Sequence, residues 1–76
     1  MIQSKTIFLH DHAADITQTR KFSNMEEFDD FLSKLLSSFE NYSLTVDKKS
    51  EDLFHIYFKD VRAYTLRVET GYFGQP

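Results

Sequence analysis

Between residues 24 and 40 the apolar side chains fall at intervals of three and four: Met25, Phe28, Phe31, Leu32, Leu35, Leu36 and Phe39. That is the spacing of one helical stripe. Glu26, Glu27, Asp29, Asp30, Ser33, Lys34, Ser37 and Ser38 fall largely on the other side. The pattern predicts a helix over Asn24–Glu40. Ser23 with Glu26, or Asn24 with Glu27, can form a capping box at its start, and Asn41 suits a left-handed stop. Four carboxylates in the first two turns complement the positive end of the helix dipole.

On either side of the helix the period changes from 3.6 to 2. Lys5–His10 carries Ile7 and Leu9 on one face, and Ile16–Phe22 is an edge-like strand rich in threonine. After the helix, Ser43–Lys48 turns Leu44 and Val46 inward. Asp52–Lys59 and Val61–Glu69 then alternate most strongly. The expected fold is a small single α+β domain over residues 1–70, in the order β-β-α-β-β-β. One helix packs on one face of an antiparallel sheet. Residues 71–76, with Tyr72 and Phe73, carry no periodic signal and read as an aromatic C-terminal tail.

Parity sharpens the last hairpin. Phe54, Ile56 and Phe58 form the apolar face of one strand, and Tyr64, Leu66 and Val68 that of the next. A two-residue turn at Lys59-Asp60 would put these sets on opposite faces. The expectation is therefore an odd loop, Lys59-Asp60-Val61, that pairs Ile56 with Tyr64 and has Asp60 or a neighbour left-handed. The expected core is Ile7, Leu9, Phe28, Leu32, Leu35, Phe39, Leu44, Val46, Phe54, Ile56, Phe58, Tyr64, Leu66 and Val68.

Composition narrows the function classes. In 76 residues there are eight Phe and four Tyr but no Trp and no Cys, which excludes disulfide frameworks and Cys-bearing zinc sites. No apolar run approaches the roughly 20 residues of a membrane span, so no membrane partner is expected. Met1-Ile2-Gln3-Ser4-Lys5 lacks the charged and apolar regions of a signal peptide, and the expected compartment is the cytoplasm. A net charge of −3 argues against non-specific nucleic-acid binding.

Candidate chemistry is sparse. His10-Asp11-His12 puts two imidazoles on one face of a strand, with Asp15 near in sequence and His55 able to approach across the sheet. A His-x-His pair without a third ligand and supporting hydrogen bonds is more often a pair of exposed histidines, so no metal site and no cofactor is assigned. There is no nucleophile elbow, no Gly-rich phosphate loop and no thiol. The paired carboxylates of the helix project about 100° apart and share no cleft. No catalytic residue is assigned, and the expectation is a protein that is not an enzyme.

The surfaces say more. With Phe54, Ile56 and Phe58 beneath the helix, Leu53, His55, Tyr57, Val61, Ala63, Thr65 and Arg67 point to a second, uncovered sheet face. The leading expectation is a protein-interaction module that contacts its partner through Leu53, His55, Tyr57, Arg67, Tyr72 and Phe73, the partner being a second copy in the simplest case. Stacking of single-stranded bases on Tyr57 and His55 beside Arg67 is the alternative. A third reading takes Glu26, Glu27, Asp29 and Asp30, extended by Asp11 and Asp15, as an acidic patch that blocks a basic partner.

Overall fold

The structure, a computed structural model, describes residues 2–73, with the side chains of residues 3–72. The chain runs β1 (Ile2–Asp11), β2 (Ile16–Phe22), α1 (Met25–Asn41), β3 (Thr45–Ser50), β4 (Leu53–Phe58) and β5 (Val61–Phe73). The five strands form one antiparallel sheet in the order β2-β1-β5-β4-β3, and α1 packs on one face. This is the expected α+β architecture and element order.

The helix starts where its polar neighbours can cap it. Asn24 is the N-cap, and its side-chain oxygen accepts from the backbone N–H of Glu26 (2.9 Å) and Glu27 (3.1 Å). At the other end α1 includes Asn41. The left-handed residue is Ser43 (φ 65°), and Leu44 N–H donates back to the Phe39 carbonyl at 2.9 Å. The aromatic ends of the stripe anchor the helix. Phe28 meets Phe22 edge-on, with ring centroids 5.9 Å apart, and Phe39 lies 5.1 Å from the Tyr64 ring.

Between these anchors the cover is incomplete. Five strands about 4.8 Å apart make a sheet roughly 19 Å wide, and one helix with its side chains is about 10 Å across. Two clefts therefore flank α1. One, of about 520 Å³, lies between Phe28, Leu32 and Leu36 on the helix and Phe54 and Val68 on the sheet. The other, about 240 Å³, lies between Phe31 and Leu35 and the strand residues Ile7, Leu9 and Arg20. Leu9, Leu32 and Leu35, expected in the core, are only half-buried because they border these clefts, and Leu44, Val46 and Tyr64 are half-buried as well. The sealed core is Ile7, Phe22, Phe28, Phe39, Phe54, Ile56, Leu66 and Val68.

Three expectations need correction. Phe58 is 51% exposed, because it sits at the hairpin tip, one residue beyond the last β3–β4 pair, Thr45–Tyr57. The hairpin loop is even: Phe58 pairs with Val61 across Lys59-Asp60, with Lys59 left-handed at φ 57°. The expected pairing of Ile56 with Tyr64 is nevertheless present, since a bulge between Ile56 and Tyr57 takes up the extra residue, Ala63. Finally, residues 71–73 are not a tail but the end of β5, paired with Ile2, Gln3 and Ser4 of β1. Gly71 faces Ser4, whose hydroxyl would lie 3.1 Å from an added Cβ, so a side chain there would crowd the buried Ser4. Residues 74–76 of the expected tail lie outside the described residues.

Candidate interaction face

Alternation from the buried Ile7, Leu66 and Ile56 assigns each strand residue to one of two faces. The face away from the helix has a straight row across all five strands. Asp47 in β3 pairs with His55 in β4, His55 with Thr65 in β5, Thr65 with His10 in β1, and His10 with Thr17 in β2. The next row is Leu53, Arg67, Phe8 and Thr19. The face is mostly polar, which is what an antiparallel sheet presents to water.

The chain has three histidines, and all three lie on this row or beside it. His12, just past β1, is held by its backbone N–H, which donates to the Ala63 carbonyl at 3.0 Å, the residue at the bulge. Its ring meets that of His10 edge-on at 4.6 Å. His12 Nε2 hydrogen-bonds the Thr65 hydroxyl (2.6 Å) and His10 Nδ1 that of Thr17 (2.9 Å), with His10 Nε2 3.4 Å from Asp15. The imidazole nitrogens thus turn to separate hydroxyls and a carboxylate, not to one shared point. No group of three metal-type side chains converges among the described residues.

At the other end of the row Arg62 Nη1 donates to His55 Nε2 at 3.1 Å. Desolvation, and then the positive charges of Arg62 and Lys49, push the His55 pKa below its ordinary 6.5. The neutral ring is the form that can accept from a guanidinium. Lys49 bonds Asp47 at 2.7 Å, and that bond with the carboxylate's charge raises the lysine pKa. Arg67 stacks over the Phe8 ring, 4.4 Å from its centroid, and is also bonded to Glu69.

Of the expected contact residues, Leu53, His55, Tyr57 and Arg67 share this face, the first three half-buried and Arg67 exposed. Tyr72 does not: it alternates with Val68 on the helix-bearing face and is 58% exposed. Phe73 pairs with Ile2 through the backbone, and its side chain lies outside the described residues. The open face also carries Phe8, Lys21, Lys49 and Arg62, which the sequence reading did not place there. Strand parity alone would have found Phe8 and Lys21, whereas Arg62 reaches the face only through the bulge.

The acidic patch is smaller than expected. Glu26, Glu27, Asp29 and Asp30 are exposed near the Phe28 end of the helix, and Asp30 pairs with Lys34 at 3.0 Å. Asp11 and Asp15 are at the opposite end, because Asp11 pairs with Tyr64, which packs on Phe39. Asp11 instead accepts from the backbone of Ala13 and Ala14 and builds the β1–β2 turn. Four exposed carboxylates gather in the first two turns of the helix, while Lys21, Lys49, Arg62, Arg67 and the imidazoles share the open face with Asp47 and Glu69.

Comparison with protein-family models, with curated proteins and with solved structures returned no match. Among the described residues no helix is long and apolar enough to cross a membrane. What the fold and site define is a class: a one-helix α+β domain with a histidine-bearing, uncovered sheet face.

Proposed function

We propose that the chain is a small, non-enzymatic, cytoplasmic interaction module that docks a partner protein on its open sheet face. The observation that carries this reading is a set on one uncovered face, the half-buried Tyr57 and His55 beside the exposed Arg62 and Arg67. Tyr and Arg are typical interface anchors. A second copy of the chain, docked open face to open face, is the less favoured partner. A twofold contact sets the same patch against itself and so brings two copies of the cationic Arg62 into one interface.

Single-stranded nucleic acid is the competing partner, favoured by the Arg67–Phe8 stack, which is a platform for a base. Two of the cations such a strand would need are already matched within the face, Lys49 by Asp47 and Arg67 by Glu69. The net charge of −3 adds repulsion. Affinity capture from cells that express the chain tests the reading. The partner should be retained by Lys34→Glu, on the exposed side of the helix, and lost with Tyr57→Glu combined with Arg67→Glu. Retention by both variants would refute it.

A further inference from the structure

The geometry points to the His12–Thr65–His55–Arg62 end of the polar row as an oxyanion site that takes carboxylate side chains from an acidic segment of the partner, and takes them more tightly as the His55 ring becomes protonated. This rests on the docking reading above and specifies its partner. The first argument is charge complementarity. Arg62 is a cation of this face whose hydrogen bond goes to an imidazole and not to a carboxylate. An incoming carboxylate can replace that weak acceptor with a charge-assisted, two-point bond to the guanidinium. His55 is then released to protonate beside the anion and donate to it.

The surroundings of the row favour this over a chain of phosphates. The charged and titratable groups that face His55 are Asp47 and Lys49 from β3, Tyr57 from β4, Arg62 from β5 and His12 beyond β1. Asp15 lies farther along, against His10. Lys49 is paired with Asp47 and Arg67 with Glu69, so at this end of the row the charge offered to an anion is the Arg62 guanidinium beside the His55 ring. That suits one or two carboxylates, whereas a phosphodiester strand needs a continuous run of cations. The pH dependence has a definite sign. Positive neighbours and desolvation now disfavour the charged form of His55, and the negative charge of a bound carboxylate favours it, so anion and proton bind cooperatively.

The test is nuclear magnetic resonance titration of the full chain with capped hexa-aspartate, whose side chains stay ionised throughout, at about pH 6 and about pH 8. The peptide should shift the amide signals of His12, His55, Arg62 and Thr65 and raise the imidazole pKa of His55. It should bind about fivefold tighter at the lower pH. Arg62→Gln, an exposed substitution, should weaken binding about tenfold, and His55→Gln should remove the pH dependence. The proposal is overturned if the peptide maps to Lys34 and Lys48 on the helix-bearing side. Binding that ignores pH overturns it equally, as does tighter binding of hexa-uridylate to the same row. The parent reading is judged separately. If Arg62→Gln leaves cellular capture intact while Tyr57→Glu with Arg67→Glu abolishes it, the carboxylate site falls and the docking face stands. If capture survives both changes, both fall.

Discussion

Leu66 and Arg67 are consecutive residues of β5 that face opposite sides of one sheet. Leu66 is sealed beneath the helix with Ile56, Phe54 and Val68. Arg67 stacks over Phe8 in water, bonded to Glu69. The helix-bearing face is held by burial, which near room temperature contributes roughly 25 cal/mol per Å² of apolar surface. The open face is held by exposed hydrogen bonds and ion pairs, each contributing about 1 kcal/mol or less. A 76-residue chain cannot seal both sides of a five-stranded sheet with one helix. It concentrates its aromatic residues on one side and leaves the other polar and uncovered.

Breaking the sealed side should have the largest effect. Leu66→Ala leaves a cavity under α1 and should cost about 3–5 kcal/mol in urea denaturation, whereas Arg67→Ala should cost about 1 kcal/mol or less. Equal losses would erase the contrast between the faces. Within the helix-bearing side the same logic grades the helix. Leu35 borders the cleft beside Ile7 and Leu9, so Leu35→Ala should cost about 1–2 kcal/mol, clearly less than Leu66→Ala. Loss of the cap through Asn24→Ala should cost about 1 kcal/mol and fray the first turn, visible as faster amide exchange at Glu26 and Glu27.

The smallest effect is on the open face and depends on pH. The folded state holds the His55 pKa below 6.5, so the unfolded chain takes up that proton first as pH falls. The unfolded state binds more protons in this window, and stability therefore rises with pH up to about 6.5 and levels off above it. His55→Gln should remove this component: the difference in urea midpoint between wild type and variant should change sign or shrink between about pH 7.5 and about pH 5.5. A constant difference would show that His55 keeps its ordinary pKa.

How much of this was legible in the sequence follows from which signals are periodic. The helix stripe and strand alternation carry the element order, and β2 is Ile16–Phe22 as read. Two contacts between elements were not legible. Residues 71–73 have no pattern of their own and become strand only because Ile2, Gln3 and Ser4 offer a partner. Phe22 enters the core through ring contacts with Phe28 and Phe31, across the turn from β2 into α1. The bulge shows a subtler limit. Parity required one extra residue between β4 and β5, but whether it lies in the loop or the ladder depends on local backbone geometry, here a left-handed Lys59 with Ala63 displaced. The same displacement brings Arg62 to His55 and Ala63 to His12, so the most informative part of the open face was hidden with it.

The central claim is that the histidine row is surplus to folding. Urea denaturation at neutral pH of the triple variant His10→Gln, His12→Gln, His55→Gln tests it most directly. Every ring is exposed or half-exposed, and its partners are hydroxyls, an exposed carboxylate or a guanidinium in reach of water. The account predicts a stability within about 1 kcal/mol of wild type and an unchanged dependence on urea concentration. A loss of more than about 2 kcal/mol would show that the row holds the sheet together and would contradict a face kept for recognition.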